Sequence, residues 1–560
     1  MVSIILFINF LNLPDITNRF MKYNATWIFT FQIILYIFLM ALFVYLGFCY
    51  LKGKEHNKHL KALAIASLIV IIAIQALAFD PALSMNGDNS RYICGAISLA
   101  ETGQYKSIQY PQEIFITLDQ PGMSIMLAPL VKIFGVNVVL FKSLTFLFTI
   151  AMFLLFFYLF KKYLKTELVL LLLLLMGTNP FVSDFSSLVM TEMPFVFFSL
   201  LSIWLLKKYE QSDKINYLFL VLSSLSILMT YFTRSIGISM AIASILYFCI
   251  KKDWKKAIFL GVMLFLLFGS WQLRCMILGS GKTQISAFTG ENGLGFMISN
   301  GFKNLLISFK TIPQVLFAHG TTRFKMEPFD LKGFIVIAII GTGLVVNMIK
   351  KINLYDLFFV FSLIVLAIGT PDTNPLPMAR YLCVFIPFFL IYFYFGCDFL
   401  LSLWPKFKPH RKIIIIPLLL LVLFSNFSGT AYQIQLSHRG YMYPKPIENY
   451  IEAGAWVKKN TPDDAVVACR KENTFYLFSY RKGYQFASYW TKYDKKYEEY
   501  RMKQFERHNV SYLIIDTFSN SSQTAYKIIQ NNPDKFNMIK IVGDHNMGAC
   551  YIFKINKWWL

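Results

Sequence analysis

Apolar runs of about 20 residues recur along this chain from residue 26 to residue 428, and each can cross a hydrocarbon core about 30 Å thick. No water reaches a bare backbone inside that core, so an open chain can cross it only as α-helices. The spacing predicts about twelve spans: 26–51, 62–79, 138–160, 168–182, 189–206, 216–233, 235–250, 257–278, 333–349, 354–370, 381–401 and 413–428. Only 15% of residues are charged, against roughly 25% in a soluble globular domain. The fold class is a polytopic α-helical membrane protein.

The charge that remains is one-sided. Fifty-four basic against 31 acidic residues give a net charge of +23. Much of the excess sits in short loops: "LKGKEHNKHLK" (51–61), "KKYLK" (161–165), "KKYEQSDK" (207–214), "KKDWKK" (251–256), "IKK" (349–351) and "PKFKPHRK" (405–412). These occupy every second loop, which is the positive-inside pattern and not a nucleic-acid footprint. Nucleic acid is therefore not an expected partner, and membrane lipids are. The opposite segments, 80–137, 183–188, the turn at 234, 279–332, 371–380 and 429–560, then face outward. The N-terminal stretch 2–13 is apolar but too short to span. The implied location is a membrane crossed many times, with the tail on the side opposite the basic loops.

Structure is concentrated on the outward side. Past residue 428 the chain turns polar, and "VSYLIID" (510–516) reads as a buried strand, "SSQTAYKIIQNN" as a helix and "FNMIKIVGDHNMGACYIFKI" as two strands about a turn. The chain thus divides into a membrane module, 1–428, and a small α/β domain, 429–560, with structured outer loops at 80–137 and 279–332. Cys469 and Cys550 both fall in tail strands, where a disulfide is open to an oxidising compartment.

The outward turns also hold the residues that could carry chemistry. In "MNGDNSRYICGAISLAETGQY" (85–105), Asp88 follows Gly87 and precedes Arg91 by three positions. An acid there could take a proton from a hydroxyl; equally, it could cap the helix that "RYICGAISLAETG" predicts, with Gly103 as its stop. Glu192, in "LVMTEMPF", opens a span, a costly depth for a carboxylate unless it faces protein or favours the helix dipole. Arg234, in "TYFTRSIGISM", stands in an outward turn that positive-inside statistics disfavour, so an anionic partner is expected. Arg380, with Tyr381 beside it in "MARYLCVFIPFF", repeats the situation. Arginine suits phosphate because its planar fork donates parallel bonds. The fragment "GSGKTQ" (279–284) lacks full P-loop spacing.

Taken in order, "GDNSRY…SLAETGQY", "MTEMPF", "TR" and "ARYLCVFIPFF" resemble the GT-C glycosyltransferases, and more narrowly the protein O-mannosyltransferase and aminoarabinose-transferase branch. The tail "AWVKKNTPDDAVVACRK…NVSYLIID" resembles the extracytoplasmic domain of bacterial members. The resemblance implies an inverting glycosyltransferase that moves a sugar from a polyprenyl-phosphate donor to a lipid, glycan or protein acceptor at the outer face. It implies Asp88 and Glu192 as the catalytic acids and Arg91, Arg234, Arg380 and Tyr381 as donor-phosphate ligands. The residues name no cofactor, and a divalent cation held by Asp88 and Glu192 is an option the sequence leaves open. One departure stands out: at "LDQPGM" this chain has Gln120-Pro121-Gly122 where the aminoarabinose branch has Lys-Pro-Pro. That leaves the donor sugar unspecified. The competing reading is a lipid or polysaccharide flippase, for which polar or broken span midpoints are the signature.

Overall fold

The computed structural model describes residues 25–52, 57–85, 87–212, 214–279, 293–317, 331–369, 375–438, 443–486, 493–517 and 521–558. The stretch 2–13, and "GSGKTQ" beyond Gly279, lie outside them. In chain order the helices are α1 (Ala25–Lys52), α2 (Asn57–Leu77), α3 (Asn89–Thr102), α4 (Gly122–Phe134), α5 (Val138–Phe160), α6 (Thr166–Gly177) and α7 (Pro180–Ser186). They continue as α8 (Glu192–Glu210), α9 (Tyr217–Thr233), α10 (Ile238–Ile250), α11 (Trp254–Leu278), α12 (Gly293–Leu316), α13 (Leu331–Lys350) and α14 (Leu354–Gly369). The last are α15 (Pro375–Leu382), α16 (Ile386–Ser402), α17 (Arg411–Ser437), α18 (Lys445–Asn460), α19 (Glu472–Ser479), α20 (Lys495–Arg507) and α21 (Ser521–Asn531). Strands β1 to β5 are Val466–Cys469, Lys482–Gln485, Val510–Ile515, Phe536–Val542 and Cys550–Ile555.

Two compact units emerge. The first comprises Met1–Pro81, Thr117–Met123 and Val138–Gly440, the second Ala82–Ile116, Ser124–Asn137 and Tyr441–Leu560. Each of the twelve predicted spans coincides with a helix or helix pair of the first unit. The predicted number of spans is not reached by long apolar helices: among the described residues seven qualify by length and composition, or eight with the bent pair α6–α7. The difference has a physical source. α9, α10 and α14 are apolar but short, and α8 is apolar only between Met193 and Leu206, with Glu192, Lys207, Lys208 and Glu210 at its ends.

At the centre of this unit lies α6, whose run Leu168–Met176 is at most 2% exposed. A helix apolar on every side is stable only when enclosed on every side. It breaks at Thr178–Asn179, where α7 turns away by 66°. Pro180 lacks an N–H, and the Asn179 side chain caps the new helix by accepting from Phe181 N at 3.0 Å. The carbonyls freed by the break find donors: Gln75 Nε2 on Gly177 O at 2.7 Å, and Thr430 Oγ1 on Thr178 O at 2.6 Å. A broken span with its polar groups satisfied by neighbouring helices is a closed joint rather than an open path.

The second unit is a five-stranded sheet in the order β2-β1-β3-β5-β4. β1 runs parallel to β2 and β3, while β5 is antiparallel to β3 and β4. One face packs on Tyr450, Ala453 and Val457 of α18 and Phe475 of α19; the other packs on Phe505 of α20 and Ile528 of α21. β3, buried on both faces, is the continuous apolar run that "VSYLII" predicts. Cys469 and Cys550 are free thiols on the first face. β3 separates their strands, which puts them roughly 9.5 Å apart by strand spacing, beyond disulfide reach.

The outer loop after the second span belongs to this same unit. Met85 sits in the core of the α18 face, and Leu83 N donates to Tyr443 Oη at 2.7 Å. Ser90 Oγ meets Thr474 Oγ1 at 2.8 Å, Gly483 N donates to Gln109 O at 2.7 Å, and Lys482 Nζ reaches Glu113 Oε1 at 2.6 Å. Polar composition placed the domain boundary near 428, but α17 continues to Ser437 because Asn426, Thr430 and Ile434 remain buried.

Candidate functional site

In the membrane unit, α8 begins at Glu192, a carboxylate with 0% exposure. Two guanidinium groups converge on its Oε1: Arg234 Nη1 at 2.7 Å and Arg380 Nε at 2.5 Å. The second oxygen, Oε2, is buried with no hydrogen-bond partner. Arg234 occupies an extended residue between α9 and a 3-10 turn, φ −150° and ψ 135°, and its guanidinium lies 5.2 Å from the Tyr381 ring centre. Arg380 closes α15, is 27% exposed, and accepts from Cys383 Sγ through its carbonyl at 3.1 Å. The partner expected for Arg234 is therefore Glu192, and Arg380 shares it. Two guanidinium groups thus share one carboxylate oxygen, Arg234 from a buried position and Arg380 from a partly exposed one. Arg274, near the end of α11, lies over the Trp271 ring at 4.8 Å.

Close packing holds this arrangement in place. A Cβ added at Gly122 would lie 2.5 Å from Phe232 O and 2.8 Å from Thr233 N, the residues that lead into Arg234. Gln120 hydrogen-bonds Tyr231 from the same segment. The glycine of the "QPGM" departure thus has a structural reason: a bare backbone is needed where the Arg234 turn passes. Replacing Gly122 with alanine is expected to push that turn outward and lower kcat/KM by about 10- to 100-fold, since a 1 Å misplacement costs on the order of 10². Steady-state kinetics of the folded variant would measure it.

A second charged group in the membrane unit escaped the sequence. Lys142, four residues into α5, is fully buried, and its Nζ donates to Asp80 O at 2.7 Å. Asp80 and Asp184 are the acids acting on it, so Asp184 is engaged with buried charge rather than simply solvated. A lone lysine inside "VVLFKSLTFLF" was the available signal.

In the other unit, Asp88 occupies the N-cap position of α3 but makes no side-chain cap hydrogen bond. Gly87 before it has φ 71°, which glycine adopts without strain. Asp88 Oδ1 lies 3.9 Å from Arg91 Nη1, with both side chains partly exposed. Lys471, in the β1–α19 turn, is within electrostatic reach of both Asp88 and Arg91. Its neighbour Glu472 is 4% exposed and accepts from Tyr110 Oη at 2.8 Å and from Asn473 Nδ2 at 2.9 Å. No sequence signal linked the "RKEN" turn to Asp88 or Tyr110, because more than 350 positions of chain intervene. The α3 stop is as predicted: Gly103 is left-handed and its N–H bonds Leu99 O.

Burial raises the Glu472 carboxyl above its ordinary value of 4.5, with the Tyr110 hydrogen bond opposing. The sign follows: the folded state favours the protonated acid, so its contribution is full below pH 4.5 and is lost as pH rises through the raised folded value. Glu472→Gln is therefore expected to flatten the fall in melting temperature between pH 4 and neutrality, read by thermal melts of the whole protein.

A cation held at Glu192 would have to share a carboxylate that already carries two guanidinium groups. Among the described residues no group of three or more His, Cys, Asp or Glu side chains is arranged to hold an ion.

The family model of dolichyl-phosphate-mannose-protein mannosyltransferases matches residues 119–272, the stretch containing Glu192 and Arg234. No curated protein matches the sequence. Among solved structures, the chain is similar to ArnT from Cupriavidus metallidurans bound to undecaprenyl phosphate, with TM-score 0.54 and 10% identity over 88% of this chain and 98% of that one. It is also similar to the Archaeoglobus fulgidus oligosaccharyltransferase tethered to an acceptor peptide, with TM-score 0.53 and 10% identity over 90% and 75% of the two chains. The archaeal AglB from Archaeoglobus fulgidus in complex with an inhibitory peptide and a dolichol-phosphate gives TM-score 0.52 and 12% identity over the same shares, 90% and 75%. At such identities the likeness speaks to the fold.

Proposed function

We propose that this chain, a multi-pass membrane protein with the GT-C glycosyltransferase fold, transfers a sugar from a polyprenyl-phosphate donor to an acceptor hydroxyl with inversion at the anomeric carbon. The observation that carries the reading is the convergence of Arg234 and Arg380 on Glu192, two guanidinium groups meeting one carboxylate at the start of α8. In the reaction the acceptor oxygen bonds to the anomeric carbon as the bond from that carbon to the phosphate oxygen breaks. The hydroxyl proton passes to Asp88 as general base, and the electron pair leaves with the polyprenyl phosphate. Arg234 and Arg380 then stabilise the charge growing on the departing phosphate, with Tyr381 fixing the Arg234 plane. Arg91 is assigned to an anionic group of donor or acceptor beside Asp88.

For Glu192, which the resemblance implies as a catalytic acid, the burial and both ion pairs support a positioning part instead. Fully buried and bonded to both arginines, it acts as a positioning residue that sets the two guanidinium planes. The lipid phosphates named in two of the neighbouring structures, undecaprenyl phosphate and dolichol-phosphate, support the donor class. A peptide acceptor named in a third leaves protein, glycan and lipid all as acceptor classes. The site would face the extracytoplasmic side of a bacterial inner membrane, in keeping with the basic loops opposite. The joint at Thr178–Asn179 is the feature a flippase would use, yet its polar groups are already taken.

Binding of undecaprenyl phosphate tests the donor half. It should raise the melting temperature of the purified protein by a saturable amount and do so far less in Arg234→Gln/Arg380→Gln. An equal rise in both would remove the arginines from donor binding.

A further inference from the structure

At the far end of α8 from Glu192, about 22 Å along the helix by its rise per residue, a shallow surface cleft with an enclosed volume of only about 10 Å³ lies between the ends of α5 and α8. It is lined by Tyr158, Leu159, Lys162, Trp204, Lys207, Lys208 and Gln211. Three of these are ammonium groups, and none is within ion-pairing distance of a carboxylate among the described residues. Lys162 rests over the Tyr158 ring at 5.5 Å and Lys207 over the Tyr163 ring at 3.8 Å. Glu210, the nearby acid, is engaged by Lys251 at 3.8 Å and by Tyr247 Oη at 2.9 Å. Independently, Trp204 Nε1 is buried with no hydrogen-bond partner, an N–H donor that ordinarily finds an acceptor. The pocket presents donors and positive charge, with no carboxylate among its lining residues.

We propose that this pocket binds the phosphodiester headgroup of an anionic membrane phospholipid. Phosphate is the shared chemistry, and two features favour a lipid over free phosphate. Tyr158 and Trp204 are the amphipathic aromatics that settle at a membrane interface. From the pocket, the exposed face of α5 continues as Leu154 at 48% and Leu147 at 60% exposure, an apolar track for an acyl chain. Basic pockets between membrane helices bind such headgroups, each lysine contributing on the order of a fivefold gain in affinity. The bound lipid would brace α8, the helix whose other end carries Glu192.

Native mass spectrometry of the full chain in detergent, titrated separately with phosphatidylglycerol and phosphatidylcholine, tests the assignment. The expected result is phosphatidylglycerol retention at about 10-fold lower concentration, with Lys162→Gln/Lys207→Gln/Lys208→Gln weakening it about 100-fold. Trp204→Phe, which keeps the ring and removes the N–H, should weaken it several-fold without altering the melting temperature of the lipid-free protein. Equal retention of the two lipids, or a preference that survives in the triple variant, would overturn the proposal. Displacement of phosphatidylglycerol by millimolar inorganic phosphate would also overturn it, in favour of a free-phosphate site.

Discussion

Replacing Arg234 and Arg380 together with glutamine is expected to reduce sugar transfer by on the order of 10³-fold or more, the range seen when guanidinium groups facing a departing phosphate are removed. The single variants should each retain measurable turnover, because either arginine alone still reaches Glu192. Folding is the obvious concern. Removing both cations leaves Glu192 as a buried, unpaired carboxylate, and breaking a buried pair costs about 3–5 kcal/mol. The triple variant Glu192→Gln/Arg234→Gln/Arg380→Gln removes that charge and should restore the melting temperature while remaining inactive. Glu192→Gln alone keeps both cations and a neutral acceptor. Its expected effect is smaller, a loss of arginine orientation that lowers kcat by about 10². Should the triple variant fold and transfer sugar, phosphate stabilisation would not lie with these arginines.

Asp88→Asn is expected to lower kcat by about 10²- to 10⁴-fold, the usual worth of a general base, with little change in donor KM. The fold should tolerate it, since Asp88 makes no helix-capping hydrogen bond for asparagine to lose, and it is about one-third exposed. That separates the catalytic reading from a capping one. A capping role would show as lower stability at unchanged kcat, particularly in Asp88→Ala, since asparagine itself caps well. Rapid-quench measurement of a single turnover would place the loss in the chemical step.

How much of this was readable beforehand follows from what each signal depends on. Helices in lipid announce themselves through long apolar runs, so all twelve predicted spans are helical although fewer are long enough to cross alone. The strand "VSYLII" and the Gly103 stop depend on neighbours a few positions away. An anionic partner for Arg234 was legible from its sidedness alone. That Arg380 shares the same oxygen was not, because 188 positions separate Arg380 from Glu192. Lys471 near Asp88, and Glu472 bonded to Tyr110, were invisible for the same reason: only the sheet brings the β1–α19 turn to that loop. Gly122, standing where the aminoarabinose branch has proline, had no visible reason until the Phe232 carbonyl supplied one.

The most direct test is donor turnover in purified, lipid-reconstituted protein, offered a panel of radiolabelled polyprenyl-phosphate sugars. The structure's central reading predicts release of polyprenyl phosphate by the wild type for at least one donor, and its loss in Asp88→Asn and in Arg234→Gln/Arg380→Gln. Equal turnover in all three proteins, or labelled lipid that crosses between leaflets without losing its sugar, would contradict it.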